Sequence, residues 1–170
     1  MRIELENLEG SKGDFAHVYQ PEDLNPVDER VSLIAPAAVN AKVRLSGNQV
    51  FVNGHVETRA EVECDRCLKP VELPVNADFT LEYISGSDYE SSQVVELTEA
   101  EMLVAVFDGE AIDVDEIVKE QVLLTVPTRV LCREDCKGIC PECGVDKNTG
   151  ECNCVTNEID PRWAALKDLT

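Results

Sequence analysis

The chain is short of positive charge, of histidine and of long apolar runs, and each shortage closes off a class of function. Only 15 of its 170 residues are lysine or arginine, against 34 aspartates and glutamates, giving a formal net charge of −19 and a pI near 4.3. Neutralising phosphates takes clustered cations, so a general grip on bare nucleic acid is not expected. No apolar stretch approaches the ~18 residues that cross a bilayer as a helix. The opening MRIELENLEG alternates charge with aliphatics and has no apolar stretch of the export-signal type. The expectation is a soluble, cytoplasmic protein with no membrane partner. Its two histidines, His17 and His55, stand near no nucleophile or acid pair in sequence. The segment GSKG at residues 10–13 lacks the G-x-x-x-x-G-K-[ST] spacing of a phosphate loop.

What remains is enough for a folded domain. Hydrophobic residues make up 44% of the chain, too many for a wholly disordered one. Val39, Ala41, Val43 and Leu45 alternate with polar neighbours up to a Gly47-Asn48 turn. The alternation returns from Val50 through Val62 to Cys64, with Gly54 marking a bulge or bend, and again from Val71 to Tyr83. Period-two patterning with one wet face predicts an antiparallel sheet. The first 30 residues are broken by Gly10, Gly13, Pro21 and Pro26, leaving room for a short strand at Ile3–Leu5. SGSDYESSQ at 85–93 reads as a loop, and Leu103–Phe107 as a short returning strand. Asp113 is a good N-cap, with Glu116 at the reciprocal position, for an amphipathic helix carrying Val114, Ile117, Val118 and Val122 and ended by Pro127. Asp160-Pro161 starts a second helix with Trp163, Leu166 and Leu169 on one side; Trp163 is expected in the core. The predicted fold class is α+β: an antiparallel sheet or partly open barrel, two short helices and a Cys-rich zinc-binding C-terminal segment. Residues 1–131 form the β domain and 132–170 the zinc segment with its helix, packed on the same domain.

Cysteine carries the chemistry. All eight come in close pairs: Cys64/Cys67, Cys132/Cys136, Cys140/Cys143 and Cys152/Cys154. In a reducing cytosol metal ligation accounts for them better than disulfides. A structural zinc site takes four thiolate or imidazole ligands, often as two close pairs. Cys140-Pro-Glu-Cys143-Gly144 is a well-formed knuckle, with glycine free to take a positive φ after the second ligand. Cys64-Asp-Arg-Cys67 is another. Eight thiols suffice for two structural zinc ions. The preferred partition joins Cys140, Cys143, Cys152 and Cys154 locally, and Cys64, Cys67, Cys132 and Cys136 across the chain; other groupings of Cys136, Cys140 and Cys143 stay open. His55-Val56-Glu57 before Cys64 superficially matches a deaminase signature, but no proline precedes Cys64, and an all-cysteine tetrad leaves no open metal position. No enzymatic activity is expected. Glu99, Glu101, Asp113, Asp115 and Glu116 lack a loop motif to place them round a cation and read as solvated.

Four stretches then point to a family. They are C-D-R-C-L at Cys64–Leu68, AIDVDEIVKEQVLLTVP from Ala111 to Pro127, C-K-G-I-C-P-E-C-G at Cys136–Gly144, and D-P-R-W…L at Asp160–Leu166. As a set they resemble the YceD-like large ribosomal RNA accumulation proteins. The resemblance implies a bacterial or plastid protein needed for synthesis, processing or stability of large-subunit ribosomal RNA. Charge shapes how such a role is met: between Val71 and Thr128 stand 14 acidic residues and one lysine, Lys119. An acidic surface docking a basic ribosomal or rRNA-processing protein is therefore expected. The runner-up is a local RNA contact through Arg129, Arg133 and Lys137. From another class comes a zinc-stabilised regulatory or redox-sensing module unrelated to ribosomes.

Overall fold

One long hairpin organises the molecule. Strands β5 (Gln49–Glu63) and β6 (Pro70–Ser85) pair antiparallel without interruption from Gln49↔Ile84 to Glu63↔Pro70. The structure is a computed structural model that describes residues 1–8, 11–86, 104–107, 110–154 and 162. The expected C-terminal helix with Trp163, most of the 85–93 loop, and Glu96, Glu99 and Glu101 lie outside the described residues.

Strand β1 (Arg2–Glu4) opens the chain, followed by β2 (Lys12–Tyr19), a short helix α1 (Pro21–Leu24), β3 (Val31–Leu33) and β4 (Ala37–Ser46). After β6 come β7 (Val104–Phe107), β8 (Ala111–Asp113) and helix α2 (Val114–Thr125). The main sheet runs β2-β4-β5-β6-β7, with β3 pairing the far end of β5, while β1 and β8 form a separate ribbon. The architecture is α+β and mostly antiparallel. Strand β7 is the exception, lying parallel to β6 through Glu82↔Val104 to Ser85↔Phe107.

Alternation decides which face is buried. Val39, Ala41 and Val43 of β4, Val50, Val52, Val56, Ala60 and Val62 of β5, and Val75 and Phe79 of β6 all point into the core. Helix α2 contributes Val114, Ile117, Val118 and Val122 to the same core, a spacing that keeps one helical stripe against the sheet. Asp113 caps it, its Oδ1 accepting from the Asp115 N–H at 3.0 Å.

Two sequence expectations need correction. Gly54 is not a bulge, since the pairing passes straight through it on both sides. It is glycine because the Phe79 ring crosses it: a Cβ there would stand 2.3 Å from Phe79 Cζ and 2.7 Å from the Asn40 carbonyl oxygen. Gly13 does not break its segment either, but sits inside the eight-residue β2, paired with Val43.

Candidate metal centre

The hairpin tip, Cys64–Lys69, is a tight turn. The Cys64 N–H donates to the Lys69 carbonyl at 2.8 Å and the Leu68 N–H to the Cys64 carbonyl at 2.9 Å. Residues 140–145 repeat this pattern bond for bond: Cys140 N–H to the Val145 carbonyl at 2.8 Å, Gly144 N–H to the Cys140 carbonyl at 2.9 Å. In each turn the residue after the second cysteine is left-handed, Leu68 at φ 59° and Gly144 at φ 73°. Glycine adopts this freely; a side chain there costs about 1–2 kcal/mol.

These turns, with the segments that reach them, gather all eight sulfurs into two groups. Cys64, Cys67, Cys132 and Cys136 form one and Cys140, Cys143, Cys152 and Cys154 the other, the sulfurs of each within 4.8 Å of one another. The grouping coincides with the partition preferred from spacing. Within the first, Cys64 Sγ lies 3.9 Å from Cys136 Sγ and Cys67 Sγ 3.6 Å from Cys132 Sγ. Four thiolates at ~2.3 Å round a tetrahedral ion have sulfur–sulfur edges of ~3.8 Å. The donor set and its spacing fit a structural metal, and each group can hold one ion.

Backbone amides stabilise some thiolates and not others. Burial pushes the Cys64 thiol up, but N–H groups of Arg66, Cys132 and Cys67 outweigh it and bring it down to about 6. The N–H groups of Cys143 and Glu142 lower Cys140 to about 6. Lost hydration, together with hydrogen bonds shared with the Cys67 and Cys136 thiols, raises Cys132 to about 12. Cys154 is likewise raised to about 12, first by its hydrogen bond with Cys143 and then by lost hydration.

A shell of contacts ties the tail to the hairpin. Asp65 N–H donates to the Val130 carbonyl at 2.9 Å, and Val130 N–H returns a bond to Asp65 Oδ2 at 2.6 Å. Ile139 N–H donates to the Arg66 carbonyl at 3.0 Å, and Arg66 Nη1 donates to the Cys136 carbonyl at 2.5 Å. Lys69 Nζ meets Asp146 Oδ2 at 2.6 Å, and this lysine holds the Asp146 carboxyl down to about 2. Asn148 braces the first group: its Oδ1 accepts from the Lys137 N–H at 2.8 Å, and its Nδ2 donates to Cys136 Sγ at 3.5 Å and to Asp146 Oδ1 at 2.7 Å. Sequence reasoning missed Asp146 and Asn148. Their signal was the turn-forming run Asp146-Lys-Asn-Thr-Gly150, whose polar residues bond to nearby backbone.

The remaining candidates sit apart from this centre. His55 faces outward on β5 and pairs with Asp78 at 2.8 Å. It lies nine residues up the strand from Cys64, ~30 Å at strand rise. His17 is exposed on β2 with its ring edge-on to Tyr19. Arg133, one of the three cations considered for RNA, is engaged by Asp135 at 3.3 Å and Asn148 at 2.8 Å.

With the tetrads in place, comparison with known proteins decides the family. The family described as large ribosomal RNA subunit accumulation protein YceD matches residues 52–170, which include both cysteine groups. The chain belongs to the YceD family. An uncharacterised protein of Mycobacterium tuberculosis is 34% identical over 131 residues, covering 77% of this chain and 60% of its own length. The chain thus spans about 60% of the mycobacterial relatives it matches. Bacillus subtilis YlbN is 24% identical over 98% of this chain and 92% of its own length. The chloroplastic large ribosomal RNA subunit accumulation protein YCED homolog 1 of Arabidopsis thaliana is 23% identical over 79% of this chain and 48% of its own. No solved structure matches.

Proposed function

We propose that this YceD-family chain is a non-enzymatic ribosome biogenesis factor that supports synthesis, processing or stability of large-subunit ribosomal RNA. The family match over 52–170 carries the reading. In it the two tetrads hold structural zinc: the ion at Cys64, Cys67, Cys132 and Cys136 ties the polar tail to the hairpin, and the ion at Cys140, Cys143, Cys152 and Cys154 closes the tail on itself where an apolar core is lacking. The acidic surface docks a basic ribosomal or rRNA-processing protein in the cytoplasm.

One groove suits such a partner. Between β7 and α2, about 530 Å³ is lined by Tyr83, Phe107 and the half-exposed Val106, with Glu116 and Glu120 on the helix side and Arg2 at the ribbon. Tyr83 and Phe107 meet edge to face at 6.0 Å. Burial, then the charges of Glu120 and Glu116, push the Tyr83 hydroxyl up to about 12. An apolar floor under a negative rim favours the stem and charged head of lysine or arginine.

The test is affinity purification of the tagged chain at low and moderate salt, with protein and RNA identified separately. Basic large-subunit or processing proteins should be recovered at low salt. Recovery should fall several-fold in the Glu116→Gln/Glu120→Gln variant and as salt screens exposed charge beyond ~8 Å. Equal recovery from variant and wild type removes the docking step. Elemental analysis finding no zinc, with thiols that react freely, removes the metal.

A further inference from the structure

The outward face of the sheet is not uniformly acidic. Across β2, β4 and β5, Lys12 stands directly opposite Arg44, Asp14 opposite Lys42, Arg44 opposite Phe51 and Lys42 opposite Asn53. Directly opposed side chains on one face have Cβ atoms ~5 Å apart, and like charges so placed repel. Lys12, Lys42 and Arg44 are exposed, and among the described residues none forms an ion pair. Elsewhere Arg30, Arg59, Lys69 and Arg133 each find a carboxylate, and Lys119, Arg129 and Lys147, which do not among the described residues, are not set directly opposite another cation across a strand pair as Lys12 and Arg44 are. On a chain with 34 acids and 15 bases, three adjacent unpaired cations with one aspartate beside them mark a place kept for an anion.

The shape around them is a trough of about 810 Å³, lined in part by Asn7, Lys12, Asp14, Lys42, Arg44 and Asn53. It continues over Lys42 and Asn53 into a second hollow of about 440 Å³ that reaches Asn40 and ends at Asp78, so the cationic part of the surface is the trough at Lys12, Lys42 and Arg44. An open, extended surface suits a strand better than an enclosed small molecule. The Arg44 guanidinium lies over the Phe51 ring, 4.5 Å from its centroid. A guanidinium anchored on one ring leaves its outer side to a further flat group.

We propose that this trough binds a single-stranded RNA segment, with Lys12 and Lys42 on its phosphates and a base stacked on the Arg44–Phe51 pair. Lys42 and Arg44, two residues apart on one face, are separated by ~6.8 Å along the strand. Asn7 and Asn53 can hydrogen-bond base edges or 2′-hydroxyls. A duplex keeps its bases stacked on each other and offers nothing to the Arg44–Phe51 platform. The trough is separate from the Glu116–Glu120 groove, so the inference does not rest on docking of a basic protein.

The experiment is fluorescence anisotropy of a labelled single-stranded RNA of about 10 nucleotides, within the site sizes of strand-binding folds, titrated with the full, metal-replete chain. Binding should weaken with salt with a log–log slope near −2, from ~0.7 per phosphate for about three contacts. Lys42→Gln/Arg44→Gln should bind at least tenfold more weakly. Arg44→Lys, which keeps the charge but loses the flat face, should lose several-fold while keeping the salt slope. Arg129→Gln/Lys137→Gln should bind as wild type. Circular dichroism checks that these exposed substitutions leave the sheet intact. No binding at low salt, equal affinity for duplex RNA, or unchanged affinity of Lys42→Gln/Arg44→Gln overturns the proposal. Glu116→Gln/Glu120→Gln removes negative charge, so it should leave RNA binding unchanged or strengthen it; failure of protein docking and failure of RNA binding are thereby told apart.

Discussion

Gly138 and Gly144 share the same left-handed φ of 73° yet face different surroundings. Nothing lies within 4 Å of a Cβ built on Gly144, whereas one on Gly138 would meet the Arg66 carbonyl oxygen at 2.8 Å. Alanine at 144 bears only the backbone cost and should destabilise by about 1 kcal/mol. Alanine at 138 must also move a backbone oxygen in the contact joining tail to hairpin, and should cost about 2 kcal/mol or more. Urea unfolding of the metal-loaded variants gives the ranking, and equal effects would show that the Gly138–Arg66 approach is not tight. Leu68 sets a third case beside them, a leucine 54% exposed at φ 59° where the sister knuckle has glycine. Nothing in the packing explains why a leucine is kept there.

Among the elements, the β5–β6 hairpin is where pattern and structure agree best. Val50, Val52, Val56, Ala60 and Val62 were legible because one face is buried along the full length, so the period of two stays unbroken. Gly54 interrupts that pattern only in side-chain size, and its closeness to Phe79 comes from the neighbouring strand, which no local pattern reveals. Gly54→Ala should therefore destabilise by about 2–3 kcal/mol through overpacking. Combining it with Phe79→Leu should give less than the sum of the two single effects, because the sites touch. Additive costs in denaturant titration would mean that the ring does not cross the glycine. The short β3 and the parallel β7 escaped the sequence reading of pairing for a related reason. Three or four residues hold too little alternation to specify a neighbour, and tertiary contacts choose it. The four cysteine pairs were legible from their spacing, whereas which pairs share a site stayed open until the fold brought Cys132 and Cys136 to the hairpin tip. The role of Asn148 was not legible, because its partners Cys136 and Lys137 lie 12 and 11 residues away in another turn.

For the molecule as a whole, the proposed loading of both tetrads with metal makes stability depend on pH. Metal takes thiolate, so every ligand still protonated must release its proton on binding. Cys64 and Cys140, lowered to about 6, are largely ionised at pH 7.5, while Cys132 and Cys154, raised to about 12, are not. Binding at pH 7.5 should thus release fewer than four protons per ion. The number should climb toward four as pH falls through about 6, where the lowered thiols regain theirs and affinity drops more steeply. Calorimetric titration of the metal-free chain in buffers of different ionisation enthalpy measures this count. A constant count of four from pH 5.5 to 8 would show that the amides do not pre-ionise Cys64 and Cys140. Within this scheme the sheet keeps its own apolar core when metal leaves, since Val39 through Phe79 pack without the tail.

The two tetrads also differ in when synthesis can complete them. Cys140 to Cys154 leave the ribosome within 14 residues of one another, about 1–3 s at ~5–20 residues per second. Cys67 precedes its partner Cys132 by 65 residues, so the hairpin tip waits ~3–13 s with half of its ligands. During that interval Cys64 and Cys67 form a two-thiol half-site that lacks the Cys132 N–H bonded to Cys64 Sγ in the finished fold, and it is open to oxidant or to a loosely held ion. The nascent chain is thus most vulnerable at the site that later anchors its tail, and damage there would precede any contact with a finished partner.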